Sequence, residues 1–204
     1  VLPMFQNRTT ITAFALGAIA STTAPSLGKP KQFNEVNEGY TEVVSTADGS
    51  DSLFGLWVNS KESQMLLELP RGWDRKKFFI AVTPSAGVIF SGLQGNESYV
   101  YLRKYDDRIA FISPEVSVRS TGGKTSQASV DTIFTDTVLI DVPIVANGPK
   151  GQPVIDLDYL LVSNASKIAG SVGRGANSRL TTIKTAKSFP KNLEVALEMP
   201  TSDG

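Results

Sequence analysis

The stretch YVYLRKYDDRIAFI, residues 99–112, decides the fold, because two alternating runs flank a pair of acidic residues. Successive side chains of an extended strand point to opposite faces, so alternate residues share a face. Two turn-forming residues between two such runs predict a β-hairpin with a tight turn. In the first run tyrosines face one way and apolar residues the other: Tyr99, Tyr101 and Tyr105 against Val100 and Leu102.

Period-two runs recur along the chain and outnumber helical patterns. The continuous apolar run at residues 78–82 predicts a buried strand, and Pro143 predicts that its strand lies at an edge or a bulge. Residues 124–134 predict about two helical turns, and Asp158 is expected to cap a single turn at residues 159–161. We therefore predict a mainly β fold: an antiparallel β-rich domain, sandwich or partly open barrel, with one or two short helices. Further strands are predicted at residues 64–69, 138–146, 153–157, 180–186 and 193–199.

The 204 residues contain no histidine and no cysteine. This excludes Ser-His-Asp and Cys-His catalysis, and it removes the ligands on which most zinc sites depend. Twenty basic and twenty acidic residues cancel, so no electrostatic signal for nucleic acid is present. We expect no catalytic residue, no metal site and no cofactor in this chain.

The N-terminus has the pattern of a secretory signal peptide. Arg8 precedes an apolar segment at residues 11–20, and Ala18-Ile19-Ala20 matches the small-residue cleavage pattern, which indicates cleavage after Ala20. We expect export to the periplasm or the extracellular space, without stable membrane insertion after cleavage. The predicted organisation is a signal peptide at 1–20, a flexible spacer at 21–32, a β-rich domain at 33–199 and a truncated tail at 200–204.

Two groups of side chains are candidate ligand sites. Asp156 and Asp158 share a face if their strand continues, and carboxylates at that spacing suit calcium; a solvent-facing Asp156 and a helix-capping Asp158 are the simpler interpretation. Tyr99, Tyr101 and Tyr105 form a candidate platform for a sugar or a peptide, although cross-strand packing is the commoner use of aromatic residues in sheets.

Several segments, taken in order, resemble the N-terminal, non-catalytic region of large exported bacterial zinc-dependent metalloproteases of the zincin type. The resemblance spans about residues 33–199, although each motif is short. Residues 122–136 depart from it, since they are rich in glycine and threonine where a stronger helix is expected. The segments are FNEV at 33–36, LLELP at 66–70, KKFFIAV at 76–82, residues 101–112, VIDLDYLL at 154–161 and residues 179–195 with FPKNLEV at 189–195.

In that family the zinc-binding His-Glu-x-x-His helix lies C-terminal to this region, so no catalytic residue carries over to a chain without histidine. The resemblance implies a fragment: a scaffold or substrate-access domain whose partner is the C-terminal catalytic domain of the same polypeptide, which would hold the zinc. The alternative is a stand-alone cell-envelope binding module for a glycan or a peptide. A carboxylate-based hydrolase is a third, weaker interpretation.

Overall fold

The computed structural model describes residues 31–44, 46, 48–87 and 91–201, the side chain of residue 172 excepted. The predicted signal peptide, its cleavage residues Ala18 and Ala20, and most of the predicted spacer lie outside these residues. The fold is mainly β, as predicted: a nine-stranded sheet curls into a half-barrel, and a separate hairpin and three short helices complete it.

The sheet has the order β2-β3-β4-β9-β8-β7-β6-β5, with β1 added alongside β8. All neighbours are antiparallel except β1 and β8, which are parallel. The strands are β1 Lys31–Gln32, β2 Thr41–Glu42, β3 Gly55–Asn59, β4 Gln64–Glu68, β5 Lys77–Ala81, β6 Glu97–Tyr105, β7 Arg108–Ser113, β8 Thr137–Asn147 and β9 Pro153–Asp156. Strands β10 Thr182–Ser188 and β11 Leu193–Glu198 form the separate hairpin.

The hairpin predicted around Asp106-Asp107 is confirmed. Strands β6 and β7 pair from Tyr105 and Arg108 outwards, so the two aspartates alone form the turn. Asp106 adopts a φ of 48°, a left-handed conformation that aspartate tolerates better than most residues. The side-chain alternation is also as predicted, because Val100 and Leu102 lie in the core and the tyrosines lie on the other face.

The core lies on the inner, concave face of the half-barrel. The β10–β11 hairpin closes this side, with Ile183 and Val195 packed against the core. Three hydrogen bonds join the hairpin to the residues just before β3. The Leu53 N–H donates to the carbonyl of Phe189 at 2.8 Å, the Ser188 hydroxyl donates to the carbonyl of Phe54 at 2.8 Å, and the Ser52 hydroxyl donates to the carbonyl of Ser188 at 2.9 Å. The largest fully buried apolar side chains are Leu56, Met65, Leu69, Val100, Ile109, Val142, Val154, Ile155 and Leu157.

The outer face of the sheet is covered at two places. At one end the segment after β1 packs on it, and the ring of Phe33 lies 4.6 Å from that of Trp57. Leu66 is buried here while Met65 and Leu67 are buried on the opposite face, so both faces of β4 are shielded from water. At the other end lies the long connection between β7 and β8, residues 114–136, which contains helix α1, Lys124–Ile133. The predicted helix at 124–134 is thus present.

Two predictions about individual strands need correction, the second of them only in part. Residues 78–82 do not form a buried strand, because β5 is the edge of the sheet and Phe79 is 62% exposed. The edge position predicted for Pro143 is wrong, because β8 is a central strand, but the alternative, a bulge, agrees with an irregularity beside it. The pairing of β8 with β9 begins only at Ile144, and a register shift follows between Ile144 and Ala146. The Ile144 N–H donates to the carbonyl of Asp107 on the β7 side, so the nitrogen of Pro143 faces the side where pairing has not begun.

The ends of the domain also differ from the predicted boundaries. Lys31 and Gln32, placed in the spacer, pair with Ala146 and Asn147 of β8. At the other end Thr201, placed in the tail, forms a bridge with Ala176. The predicted single turn after Asp158 is longer than expected. A π-helical turn, Tyr159–Ser163, leads into helix α2, Ala165–Ala169, and then into a 3₁₀ turn, Gly170–Gly173.

Candidate functional site

The two candidate calcium ligands, Asp156 and Asp158, have separate structural roles. Asp156, not Asp158, caps the helical turn: its Oδ1 accepts a hydrogen bond from the Tyr159 N–H at 3.0 Å. Asp158 instead accepts one from the Met65 N–H of β4 at 2.6 Å, through Oδ2. The prediction that Asp158 caps the turn is therefore wrong. The N–H group that donates to Asp158 belongs to Met65, 93 positions earlier in the sequence, and not to the turn that follows Asp158.

Asp158 is the most perturbed carboxyl group among the described residues. Its Oδ1 is buried without a hydrogen-bond partner. The pKa of Asp158 is raised from its usual 3.8 to about 7, chiefly by burial; the hydrogen bond from the Met65 N–H lowers it, and the neighbouring charge of Asp156 contributes a smaller rise. Nearby, burial and then the charges of Asp158, Asp156 and Glu62 raise the pKa of Tyr40 to about 12.

These groups do not assemble a recognisable metal site. In the described ranges, no three aspartate or glutamate side chains come together in a way that would hold a metal ion. The Tyr40 hydroxyl donates to Oε1 of Gln64 at 3.0 Å, and so holds the β2 end of the sheet against β4. The hydrogen bonds of Tyr40 and Asp158 thus support the sheet at β4.

The tyrosine platform does lie on one face, as predicted. Tyr99, Tyr101 and Tyr105 point outwards from β6, and Tyr99 and Tyr105 are 44% and 51% exposed. Across β5, Phe79 pairs directly with Tyr99 and Lys77 pairs with Tyr101. The Lys77 ammonium lies 5.4 Å from the centre of the Tyr99 ring, within the range of a cation–π contact.

The structure divides this platform into two parts. Tyr99 lies beside the open edge strand. Tyr101 and Tyr105 instead line a cleft of about 500 Å³ between the sheet and the 114–136 connection. We call it the β6–α1 cleft. Its apolar lining comes from both sides: Ile112 and Val138 from the sheet, and Val118, Val130 and Phe134 from the connection.

Hydrogen bonds to Asp136 hold the connection over the sheet. The Tyr101 hydroxyl donates to Oδ2 of Asp136 at 2.8 Å, and the Glu115 N–H donates to Oδ1 at 2.9 Å. These bonds, the backbone one first, lower the pKa of Asp136, and the same contact raises the pKa of Tyr101. Asp136 thus ties together the two ends of the connection and the middle of β6.

Arg103 is the notable cation of the cleft. Two other cations of the described chain, Arg108 and Lys184, pair with Asp141 and Glu198. Arg103 forms no such close ion pair among the described residues, but the charge of Asp136 acts on it and contributes, after Tyr105 and Tyr101, to a raised pKa. Its guanidinium lies 5.7 Å from the centre of the Tyr101 ring and donates a long hydrogen bond, 3.5 Å, to the Tyr105 hydroxyl.

The three carboxylates that line the cleft already have donors. Asp136 is bound as described above. Oδ1 of Asp131 accepts from the Gln127 side chain at 2.6 Å, and Oε1 of Glu115 accepts from the N–H and the hydroxyl of Ser117. The acidic groups of the cleft are therefore engaged internally, and so is Arg103, which interacts with Tyr105, Tyr101 and Asp136. The lining carries three acidic side chains, Glu115, Asp131 and Asp136, and two basic ones, Arg103 and Arg119.

Sequence reasoning identified the tyrosines but missed Arg103, Phe134 and Asp136 as parts of one site. Arg103 carried a usable signal, since it shares the alternation of the tyrosines. Asp136 and Phe134 gave none, because they reach the cleft through a contact between residues 35 positions apart.

Comparisons with known proteins add no relative: no protein-family model, no curated protein and no solved structure matches this chain. None of the helices in the described residues is both long enough and apolar enough to span a membrane.

Proposed function

We propose that this chain is the non-catalytic N-terminal domain of an exported bacterial zinc-dependent metallopeptidase. In this proposal the domain is a scaffold or a substrate-access element for a catalytic domain further along the same polypeptide. The basis for the peptidase is the resemblance of the sequence motifs, and the basis for a non-catalytic role is the composition. Without histidine, the chain cannot provide the imidazole ligands that a zincin requires.

One structural observation supports treating the resembling segments as a single unit. The LLELP segment supplies β4 and the VIDLDYLL segment supplies β9, and these strands are direct neighbours, with Leu67 opposite Ile155 and Glu68 opposite Val154. Nearly ninety positions separate them in the sequence. If the resembling segments belong to one inherited domain, they are expected to pack together in the folded chain, as β4 and β9 do.

The reading frame that follows the Gly204 codon tests this proposal. We expect an open frame that continues into a segment encoding His-Glu-x-x-His. A stop codon directly after Gly204 would contradict it.

A second test uses the 204-residue chain alone, with calorimetric zinc titration and a casein degradation assay. We expect zinc binding no stronger than that of an ordinary carboxylate surface, and no degradation. Sub-micromolar zinc affinity, or proteolysis that a chelator abolishes, would show a catalytic site within this chain and overturn the non-catalytic assignment.

The second candidate function is a cell-envelope binding module for a glycan or a peptide. The observation that favours it is the exposure of Tyr99 and Tyr105 beside Phe79 on one face of the sheet. Isolated exposed aromatic side chains are ordinary, but a row of them on adjacent strands is the arrangement on which flat ligands stack. If this surface binds the glycan or peptide, Tyr99→Ala should weaken that binding.

A further inference from the structure

We infer that a second copy of this chain pairs with the free edge of β5, so that the sheets of the two copies join across a two-fold axis at Phe79. The partner is another molecule of the same protein, and the mode of contact is antiparallel strand addition. The inference concerns the edge of the sheet and not the cleft. It depends neither on the proposed peptidase nor on the proposed binding module.

The backbone of β5 carries hydrogen-bonding groups that no described residue engages. Among the described strands β5 pairs only with β6, and just beyond it the Val82 N–H donates to the carbonyl of Asn96 at 3.0 Å. In an antiparallel pair, alternate residues direct both backbone groups to the same neighbour. Counting back from Val82 by twos, residues 78 and 80 also face β6. The N–H and C=O groups that face the free edge belong to the three residues between them: Lys77, Phe79 and Ala81.

A symmetric pair of β5 strands uses all of these groups. With the axis at Phe79, the two Phe79 residues lie opposite each other, and Lys77 of one copy lies opposite Ala81 of the other. Each opposed pair exchanges two hydrogen bonds. Any other antiparallel register leaves at least one of the three residues without a partner within β5. The free backbone groups therefore favour one register.

The aromatic side chains of the outer face suit that register. Phe79 is 62% exposed and lies opposite Tyr99 of β6, which is 44% exposed. Across the axis each Phe79 ring gains the other as a cross-strand neighbour, a contact that stabilises sheets. Covering these rings also removes apolar surface from water. On the inner face Phe78 already packs against Phe54, with the ring centres 5.7 Å apart.

The charges of the outer face are complementary in the same register. Within one copy Lys77 and Glu97 lie at opposite ends of the strand pair, since Lys77 is opposite Tyr101 and Glu97 is opposite Ala81. Neither forms an ion pair with a described residue. In the symmetric pair, Ala81 lies between Glu97 and the second copy's Lys77, which are two strand spacings apart, about 10 Å. The short alanine side chain lets the two longer ones meet above it.

The existing contacts of these two side chains leave room for this ion pair. The Lys77 ammonium lies 5.4 Å from the centre of the Tyr99 ring, and its charge also reaches Asp136, where hydrogen bonds dominate. Glu97 accepts from the Gln94 side chain through Oε2, and a carboxylate can accept several further bonds. A lysine on an edge strand ordinarily discourages pairing. Here the two-fold register places each lysine opposite an alanine.

The experiment follows the mass of the 204-residue chain by sedimentation velocity from about 10 μM to about 1 mM. We expect the monomer at the low end and the dimer at the high end, because one pair of strands is a small interface and small interfaces bind weakly. Amide exchange measured by NMR at both concentrations locates the contact. The amides of Lys77, Phe79 and Ala81 should be protected only in the dimer, whereas those of residues 78 and 80 should be protected in both states.

A charge swap tests the register. Lys77→Glu turns the attractive pairs of the dimer into repulsive ones and should raise the Kd of dimerisation at least about tenfold, as should Glu97→Lys. The two substitutions together should return the Kd to within about threefold of its original value. Within one copy these side chains are too far apart to pair, so recovery can arise only between copies. Lys104→Glu, the same charge change on β6 away from the free edge, is the matched control and should leave the Kd within about threefold.

Ala81→Pro tests the backbone pairing. It removes an N–H that faces the free edge and none that bonds β6, so thermal melting should show a folded monomer while the dimer is lost. A chain that stays monomeric up to about 1 mM would overturn the inference. A dimer that neither Lys77→Glu nor Ala81→Pro weakens would overturn it as well, because the contact would then lie elsewhere. If the charge-swapped double variant dimerises no better than the single variants, the two-fold register at Phe79 is wrong.

Discussion

The carboxylate of Glu68 lies where a side chain on Gly148 would be. A Cβ built on Gly148 would overlap the carboxyl group of Glu68. Glu68 is 1% exposed, and its Oε1 accepts hydrogen bonds from the N–H groups of Lys150 at 2.8 Å and Gln152 at 3.2 Å. Glu68 thus holds the turn between β8 and β9 through these two hydrogen bonds. The turn has glycine at position 148, and its lack of a side chain leaves the space that the Glu68 carboxyl group fills.

Gly148→Ala should destabilise the protein by about 1–3 kcal/mol, because the added methyl group overpacks a closed site. Glu68→Ala should also cost about 1–3 kcal/mol, since it leaves two backbone N–H groups of the turn without their acceptor. Chemical denaturation of both single variants and the double variant measures their coupling.

In the Glu68→Ala background the methyl group has room, so Gly148→Ala should cost much less there, with a coupling of about 1 kcal/mol or more. Gly123→Ala is the control, because nothing lies within 4 Å of the Cβ that it adds. Additive costs in the double variant would show that the two residues do not interact as described.

Asp158 should make the stability of the protein depend on pH. Its pKa is about 7 in the folded protein and 3.8 normally, so the folded state binds the proton more tightly than the unfolded state. The stabilisation from this proton is fully present below pH 3.8 and is lost as the pH rises to about 7. Burial also raises the pKa of Glu68, which acts in the same direction.

Thermal melting between about pH 4 and about pH 8 checks this prediction, with the midpoint expected to fall as the pH rises. Asp158→Asn keeps an oxygen for the Met65 N–H but cannot ionise, so its midpoint should vary less with pH. Asp74→Asn, on the turn before β5, is the matched control. A midpoint that rises over this range, or an unchanged slope in Asp158→Asn, would contradict the assignment.

The opposite trend is expected at lower pH. Hydrogen bonds lower the pKa of the exposed carboxyls Asp48, Glu115 and Asp136, and their stabilisation is lost as the pH falls through those pKa values. Because all three lie at the surface, the effect should be small.

The export prediction rests on residues outside the described ones and concerns processing. Arg8, the apolar segment at 11–20 and Ala18-Ile19-Ala20 predict cleavage after Ala20. Intact-mass analysis of the protein purified from the cell envelope or the medium should give a chain that begins at Ser21. Retention of residues 11–20 would instead indicate an anchor or a buried helix.

The sequence predicted the hairpin of β6 and β7 because the relevant information is local. Two aspartates between two alternating runs define the turn, and the alternation defines which face is buried. It gave the wrong environment for β5, because an apolar run does not reveal whether strands lie on both sides of it. Phe79 looks like a core residue in the sequence, yet β5 has no neighbour beyond it in the described sheet.

The candidate site was less predictable, since it depends on distant contacts. The role of Asp158 is set by Met65, 93 positions earlier, and in the sequence its acidic side chain just before a helical turn looks like a cap. The β6–α1 cleft exists because the 114–136 connection folds back over the tyrosines. Nothing in the local pattern of that connection indicates the surface on which it packs.

The hydrogen bond from Tyr101 to Asp136 should control how firmly that connection is held. Tyr101→Phe removes the donor while it keeps the ring, so Asp136 retains only the Glu115 N–H on the other oxygen. We expect faster amide hydrogen exchange across residues 114–136 and a rise in the pKa of Asp136, because a bond that stabilised its charged form is lost. The change in global stability should stay within about 1 kcal/mol, since the bond is exposed.

Tyr99→Phe is the control, because it removes a hydroxyl from the same strand outside the cleft. If Tyr101→Phe and Tyr99→Phe leave exchange in the connection equally slow, this hydrogen bond is not what holds the connection.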